Sequence, residues 1–414
     1  MKKSIINHGL LHDDINYEAL IEAQANNEIF LEGKKNKITS KKEEKIRQWL
    51  LDFAAKNNIA VKTDEIGNVV MSKPATAGHE NAPDENNPNS DYAKETGHPS
   101  YRADDALWLF PTIVKYIGES GNKAFLDEVI VYANGGEDTV YDHLKNAIRF
   151  SMERLGAHAM PAGLHADWND CLRMGAKGES TFVAFQLYFA IKTLRKYAEL
   201  MNDSEYIAYL DKTGENLYNI MQDKCWNEDR YIRGIRDNGV IVGKRDDVEA
   251  SMWLNPQSWA VISGCTTEEK ANLAMDSVYR ELNTQHGAMI MTPAYKDHAF
   301  DGSNMVLFNP STKENGGIFS QSQGWLILAE TLLGHGDRAY EYWKETSPSS
   351  MNEDADTRVI EPYVHGQFVE SKYSPFEGRA HVHWLTGTAS TVMVGCVEGI
   401  CGMRPGIDYI DICP

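Results

Sequence analysis

A short run near the middle of the chain, residues 166–171, carries the side chains best suited to chemistry. Its sequence is Ala-Asp-Trp-Asn-Asp-Cys, so that Asp167 and Asp170 flank Trp168 in a predicted turn before a long apolar helix. An indole face can hold a sugar ring, and a carboxylic acid whose pKa is raised by that apolar surface can protonate a glycosidic oxygen. The same run is also typical of a solvated turn with Asx caps and one core tryptophan. From the run alone, both interpretations stay open.

Five further motifs follow along the chain. They are Leu254–Ala260 (LNPQSWA), Thr292–Tyr295 (TPAY), Thr312–Phe319 (TKENGGIF), Glu361–Gln367 (EPYVHGQ) and Trp384–Ala389 (WLTGTA). Together with the Asp-Trp-Asn-Asp run they resemble the inverting disaccharide phosphorylases, the cellobiose and chitobiose phosphorylase family (glycoside hydrolase family 94). The resemblance extends from about Tyr101 to Pro414, the last residue.

The resemblance implies a role for each matched side chain. Asp170 matches the general acid and Trp168 a sugar contact, while Asp167 is expected to cap the turn. Glu314 matches an acceptor-sugar contact, and Gln367 matches a donor-sugar contact. Without the resemblance, Glu314 would be interpreted as an acid near a helix N-terminus, where the helix dipole stabilises it.

The phosphate-binding pair of the family is matched by Thr386 and Gly387. A hydroxyl group and open backbone N–H groups at the start of an apolar helix suit an anion. The chain departs from the family pattern at Gln321, where the family has a histidine that contacts phosphate. A glutamine donates hydrogen bonds but carries no positive charge, so we expect weaker phosphate binding. Compensation by a nearby histidine stays open as an alternative, although a structural role is expected for each of them: His365, His381 and His383.

The reaction that the resemblance implies is inverting phosphorolysis of a β-linked disaccharide. An inverting hydrolase needs an acid and a second carboxylate that activates water. Inorganic phosphate is already an anion, so one acid and an anion pocket suffice, and phosphate is a co-substrate. The expected products are an α-sugar 1-phosphate and a free sugar, with cellobiose as the first expected substrate and an N-acetylglucosaminide as the second. Two alternatives stay open: a truncated or fused, inactive remnant of such an enzyme, and a hydrolase that uses water.

Composition argues against several other classes of protein. The net charge of −19 would repel nucleic acids and acidic membranes. The six cysteines form no CxxC pair and have no histidine spacing suited to zinc, so no metal, cofactor or disulfide framework is expected. We find no apolar stretch suited to a signal peptide and no run of about 18 apolar residues that would span a membrane. These features predict a cytoplasmic protein.

Apolar periodicity predicts a mainly α-helical chain from Asp104 onward, with short strands near 231–235 and 240–242. The resemblance implies an (α/α)6 barrel, a six-hairpin toroid of twelve helices. About nine are predicted, so we expect an incomplete barrel whose exposed apolar faces favour aggregation or pairing with a second copy in a homodimer. The predicted helices are 103–118, 138–154, 179–201, 203–223, 255–263, 267–282, 317–334, 336–346 and 382–401.

The chain divides into four predicted regions. Residues 1–37 are an unassigned leader, 38–74 a short α+β piece, 75–100 a flexible linker, and 101–414 a partial catalytic domain. The second region is predicted as a helix capped by Ser40 and two strands at 59–61 and 69–71. It resembles the opening of the aminoacyl-histidine dipeptidases, but the metal-binding motif of those enzymes does not follow, so the resemblance implies no activity.

Overall fold

The computed structural model describes residues 44–63, 69–72, 101–132, 135–172, 174–175, 177–296, 308–407 and 409–413. Contacts divide the chain into two units, residues 1–84 and residues 85–414. The predicted leader, the predicted linker and the capping residue Ser40 lie outside the described residues.

The first unit contains one helix and one hairpin, at the positions that the sequence predicts. Helix α1 (Glu44–Lys56) precedes strands β1 (Ala60–Thr63) and β2 (Val69–Ser72), which pair antiparallel. The helix ends where Asn58 adopts a left-handed conformation with φ 53°, and Asn57 donates a side-chain hydrogen bond back to a carbonyl of the last turn.

The second unit is mainly α-helical, as predicted. Among the described residues, short 3₁₀ helices cover Asp105–Trp108, Lys123–Asp127 and Asn352–Asp354, and a π-helical segment, Gly395–Ile400, continues the last α-helix. The α-helices are α2 (Leu109–Ser120), α3 (Val140–Met152), α4 (Thr181–Leu200), α5 (Ser204–Lys224), α6 (Leu254–Ser263), α7 (Glu268–Leu282), α8 (Ser320–Leu332), α9 (Gly336–Thr346), α10 (Ala355–Arg358) and α11 (Thr388–Val394).

The strands in this unit are short, and most of them lie in the connections between helices. The strands are β3 (Val129–Val131), β4 (Glu137–Thr139), β5 (Glu179–Ser180), β6 (Trp226–Asn227), β7 (Arg230–Tyr231), β8 (Gly234–Ile235), β9 (Ile241–Val242), β10 (Met252–Trp253), β11 (Met291–Thr292), β12 (Ile318–Phe319), β13 (Gly366–Val369), β14 (Ala380–His383), β15 (Met403–Pro405) and β16 (Ile410–Ile412). Antiparallel pairs join β3 with β4, β6 with β7, β10 with β11 and β15 with β16, and two antiparallel three-stranded sheets have the strand orders β5-β8-β9 and β12-β13-β14.

One predicted helix, 382–401, begins later than the sequence suggests. Residues 380–383 form β14, and Trp384 has a left-handed φ of 70°, which interrupts any helix at that point. The helix therefore starts at Thr388, and Thr386 and Gly387 lie in the loop before it.

Helices of two kinds alternate along the chain. Helices α4, α6 and α8 are buried on nearly every side, whereas α5 and α7 each bury one face and α9 buries little more than Ala339 and Tyr342. Each of the buried helices packs against the amphipathic helix that follows it in sequence. The buried helices also pack side by side, α4 against α6, α6 against α8, and α8 against α11. The chain thus forms successive hairpins with one inner and one outer helix.

Candidate active site

A pocket of about 300 Å³ opens where loops lead into the inner helices and where β13 begins. It brings together five of the residues to which the resemblance assigns a catalytic or ligand-contacting role, from segments up to about 200 residues apart. The lining residues are Arg102, Asp104, Asp105, Trp108, Asp167, Trp168, Asp170, Lys313, Glu314, Phe319, Gln321 and Gln367.

Asp170 lies at the mouth of this pocket. Its side chain is 69% exposed, and its Oδ1 accepts a hydrogen bond from Nε of Arg102 at 3.1 Å. From the sequence, this acid is expected to lie beside the apolar face of Trp168. The carboxylate is oriented by a cation and left accessible to a ligand.

The other carboxylate of the turn, Asp167, is buried and structural. Its Oδ1 accepts the backbone N–H of Asn169 at 2.9 Å, so it caps the turn as expected. Its two oxygens also accept hydrogen bonds from Nη2 of Arg233, both at 2.6 Å, and Arg233 is fully buried. The same Nη2 reaches Oδ1 of Asn169 at 3.1 Å.

Ser180 connects this buried ion pair to helix α4. Its hydroxyl donates to Asp167 Oδ2 at 2.7 Å and accepts from Nη1 of Arg233 at 3.1 Å. It also accepts the N–H of Val183 and so caps the N-terminus of α4. The turn that carries Trp168 and Asp170 is thereby fixed to a helix end by charge-assisted hydrogen bonds.

Trp168 lies half-buried between the turn and helix α8. Its ring makes edge contacts with Phe319, at 4.8 Å between centroids, and with Trp325, at 5.3 Å. Its Nε1 donates to Oε1 of Gln321 at 3.3 Å. An indole nitrogen is a donor only, so it is the oxygen of the Gln321 side-chain amide group that faces Trp168.

That amide group faces Gly387. A methyl group added at Gly387 would lie 3.0 Å from Nε2 of Gln321, so the close approach of the two segments depends on glycine. The hydroxyl group of Thr391 on α11 also donates to the backbone carbonyl of Gln321 at 2.8 Å. Thr386 is not among the residues that line the pocket. It directly precedes Gly387 and is therefore one residue from the Gly387–Gln321 contact.

Glu314 enters the pocket from a tightly held loop. The side chain of Asn315 bonds the backbone of Tyr295 through both its oxygen and its nitrogen, at 2.7 and 2.9 Å, and Lys313 has a left-handed φ of 47°. Glu314 lies before β12 and outside any helix, so the interpretation as a helix-end acid is wrong. Glu314 is 6% exposed, its Oε2 has no hydrogen-bond partner, and burial raises its pKa.

Sequence reasoning missed four residues of the pocket, in the segment that leads into α2: Arg102, Asp104, Asp105 and Trp108. Asp104 is 2% exposed, and its Oδ2 accepts from Nε1 of Trp108 at 2.8 Å while its Oδ1 has no partner. Burial, and then the charge of Asp167, raises the pKa of Asp104 to about 7. The signal in the sequence was the pair of adjacent aspartates after an arginine.

The three histidines near the motifs lie away from the pocket lining. His381 bonds Glu370 at 2.6 Å and stacks on Phe368, and His383 pairs with Gly366 in the sheet. His365 lines a separate, smaller cavity. Among the described residues, no group of three His, Cys, Asp or Glu side chains is arranged to hold a metal ion. No helix in the described part of the chain is long and apolar enough to cross a membrane.

The chain matches a known family over most of its length. The sequence profile described as "Glycosyl hydrolase 94 superfamily, catalytic domain" matches residues 37–402. This range includes the 38–74 segment that also resembles dipeptidases.

Two curated relatives and one solved structure are similar to parts of the chain. The N,N'-diacetylchitobiose phosphorylase of Vibrio furnissii is 35% identical over 327 residues, which are 78% of this chain and 41% of that protein. The solabiose phosphorylase of Paenibacillus borealis is 29% identical over 320 residues, 76% of this chain and 42% of that protein. The chain thus spans about two fifths of the length of these relatives. A solved structure of a sialidase has a TM-score of 0.50 at 11% identity over 66% of this chain and 25% of its own, a likeness of fold alone.

Proposed function

This chain belongs to the glycosyl hydrolase 94 superfamily, and on that premise we propose that it catalyses inverting phosphorolysis of a β-linked disaccharide. The products are an α-sugar 1-phosphate and a free sugar. The observation that carries the proposal is the convergence of Trp168, Asp170, Glu314, Gln321 and Gln367 on one pocket. Curated relatives with phosphorylase names support the same reaction.

Asp170 is the general acid in this proposal. Its position at the pocket mouth, with one oxygen bonded to Arg102, supports a role in which the carboxyl group protonates the departing sugar oxygen. The exposed fraction of the side chain leaves room for the acceptor sugar beside it. Because phosphate attacks as an anion, no second carboxylate is required as a base.

Three side chains are proposed to hold the two sugar rings. Trp168 offers an indole face, Glu314 a buried carboxyl oxygen without a partner, and Gln367 an amide near the start of β13. A buried unpaired acceptor is costly unless a ligand donor completes it, and sugar hydroxyl groups are such donors. Glu314 is assigned to the acceptor sugar and Gln367 to the donor sugar.

Phosphate is proposed to bind at the contact between Gln321, Thr386 and Gly387. The side-chain amide of Gln321 lies against the glycine loop, and Nε2 is its atom nearest to Gly387, which supports this assignment. All three contacts are neutral, so binding depends on hydrogen bonds and backbone N–H groups rather than on a cation. We expect weaker phosphate binding than a histidine at position 321 would give.

The helix arrangement supports a part of an (α/α)6 barrel as the scaffold. Inner and outer helices alternate from α4 to α9, as successive hairpins of such a barrel do. With residues 101–414 as the partial catalytic domain, the described residues form fewer than six such hairpins. The protein is further proposed to be cytoplasmic and to form a homodimer through exposed apolar faces.

Hydrolysis by water is the second candidate function. An inverting hydrolase needs a carboxylate besides the acid, and Asp104 and Glu314 line the same pocket as Asp170. Burial raises the pKa of both groups, which opposes the ionised state that a base requires.

Phosphate dependence separates the two candidates. We would incubate the purified chain with N,N'-diacetylchitobiose or cellobiose, with and without inorganic phosphate, and follow sugar 1-phosphate by phosphorus NMR. The relatives favour the N-acetylglucosamine disaccharide as the better substrate. Cleavage that requires phosphate and yields sugar 1-phosphate supports phosphorolysis. Cleavage at the same rate without phosphate would indicate hydrolysis, and no cleavage of either sugar by a folded chain would indicate an inactive remnant.

A further inference from the structure

A second, smaller cavity lies beside the active-site pocket, along β12 and β13. Its volume of about 20 Å³ is enough for one water molecule or one small ion. Residues of the same two segments line both spaces, since Ser320 precedes Gln321 and His365 lies two residues before Gln367. The polar residues on its wall are His286, Ser320, Glu345, Thr346, Arg358 and His365.

Arg358 is the charged group of this cavity. It is 7% exposed, and its Nη2 donates to the carbonyl of Val364 at 3.2 Å. In the described part of the chain no carboxylate forms an ion pair with it, and the acidic group whose charge acts on it is Asp354. Burial lowers the pKa of Arg358, which reflects the cost of holding a guanidinium ion in this place. Buried charges in proteins are normally paired, but Asp354 acts on Arg358 without forming an ion pair with it.

The two histidines of the wall add no charge at neutral pH. Burial, and then the Arg358 charge, lowers the pKa of His365 to about 4, and burial also lowers the pKa of His286. The side-chain amide of Gln285 donates to Nε2 of His286 at 3.1 Å, which leaves Nδ1 as the N–H donor. A neutral imidazole with an N–H donor is compatible with an anion nearby.

Ser320 contributes the start of a helix to the wall. It is the first residue of the 13-residue helix α8, and the backbone N–H groups at such an end carry partial positive charge. The cavity is therefore bordered by one full positive charge and by a helix N-terminus.

Glu345 is the one carboxyl group on the wall. Its Oε1 accepts from Asn283 at 3.2 Å, and its Oε2 is buried without a partner. Burial raises the pKa of Glu345 to about 7, so below neutral pH this group is mostly a neutral hydrogen-bond donor. In this neutral form Glu345 repels an anion only weakly.

We propose that this cavity binds a small inorganic anion of halide size, which pairs with Arg358. A water molecule would complete hydrogen bonds but would leave the guanidinium charge uncompensated. The anion stabilises the segment from Val364 to Gln367 and with it the position of Gln367 in the active-site pocket. The site does not depend on the proposed phosphorolysis, and its tests use no activity measurement.

Bromide in crystals tests the site directly in the unaltered chain. Crystals grown in sodium bromide should show an anomalous difference peak in the cavity, within hydrogen-bond distance of the Arg358 guanidinium. A cavity that contains only a water molecule, with no anomalous signal, would overturn the proposal.

Thermal unfolding tests whether the anion binds in solution. At equal ionic strength, chloride should raise the Tm of the unaltered chain by about 2 °C or more over gluconate, which is too large to enter. Arg358→Met should abolish this difference. The control Arg149→Met, which alters an arginine whose side chain is 66% exposed, should keep it. Equal Tm values in chloride and gluconate would contradict the proposal, as would stabilisation by inorganic phosphate but not by chloride. If Arg358→Met does not fold, the comparison of chloride with gluconate in the unaltered chain still tests the proposal.

Discussion

The two sides of the active-site pocket are built in different ways. On the acid side, the turn that carries Asp170 is held by the buried pair of Arg233 and Asp167, with both bonds at 2.6 Å. On the side assigned to phosphate, Gln321 and Gly387 approach each other through a neutral amide and bare backbone. Charge fixes the first side, and close packing fixes the second.

This difference indicates where the molecule tolerates change. A buried ion pair stabilises its surroundings only while both partners are present, so the acid side should fail sharply when one is removed. A substitution on the neutral side removes or adds a single hydrogen bond, so its effect should be gradual. The cations of the pocket are on the acid side and on the Glu314 loop: Arg102 and Lys313.

The largest expected effect is the loss of the acid. Asp170→Asn keeps the shape of the side chain but removes the proton donor, so kcat for disaccharide phosphorolysis should fall about 10²–10⁴-fold. Because this side chain is 69% exposed, the Tm should stay near that of the unaltered chain. Full activity in the variant would show that another group donates the proton.

Removing the buried cation beneath the turn should destabilise the fold. Arg233→Met leaves the Asp167 carboxylate buried and unpaired, which costs about 3–5 kcal/mol, measured by urea unfolding. The control is Arg195→Met, which breaks an exposed pair with Asp211 and should leave the unfolding midpoint nearly unchanged.

The double variant Arg233→Met with Asp167→Leu sharpens this test. It removes both charges, so it should recover much of the lost stability. Equal losses in the single and double variants would mean that the pair does not act as a unit.

Asp104 should make stability depend on pH. Its pKa is about 7 in the folded chain against an ordinary 3.8, so between these values the folded state holds a proton that the unfolded chain has released. Stability from this group is therefore present at low pH and falls as the pH rises through that window. Asp104→Asn cannot ionise, so its Tm relative to the unaltered chain should increase from pH 5 to pH 8.

The exposed neighbour gives a graded comparison for this prediction. The charge of Asp105 adds to the raised pKa of Asp104, so Asp105→Asn should give a Tm difference that increases in the same direction with a smaller amplitude. The buried Glu345 also titrates near pH 7, but it is present in every variant and cancels in the comparison. A flat profile for Asp104→Asn would contradict the raised pKa.

The smallest effect is expected on the neutral side. Gln321→His offers phosphate a charge-assisted hydrogen bond at pH 6, worth about 1 kcal/mol more than a neutral one, or about fivefold in phosphate KM. The gain should fade at pH 8, above the ordinary histidine pKa of about 6.5. The KM for the disaccharide should not change. An unaltered phosphate KM at both pH values would remove Gln321 from the phosphate site.

Much of the helical framework could be predicted from the sequence. A long run of apolar residues at helical spacing indicates where a helix begins and ends. The predicted helix 179–201, for example, is observed as Thr181–Leu200. The motifs that resemble the family also pointed to Trp168, Asp170 and Glu314, which the fold brings to one pocket.

The rest depends on contacts between distant segments. Arg233 lies on the short connection between β7 and β8, too short for any periodic pattern, and only the fold places it beneath Asp167. Asp104 and Asp105 differ in burial although they are adjacent and identical in type. The start of α11 was missed because the residues before it form a strand with β13.

The most direct test of the account compares two donors in the Asp170→Asn variant. A dinitrophenyl β-glycoside releases a stable anion that needs no proton, whereas a disaccharide releases a sugar alkoxide that does. If Asp170 protonates the departing oxygen while phosphate attacks, the variant should lose most of its activity on the disaccharide and retain most of it on the aryl glycoside. Equal losses on both donors, or full activity on both, would contradict this role.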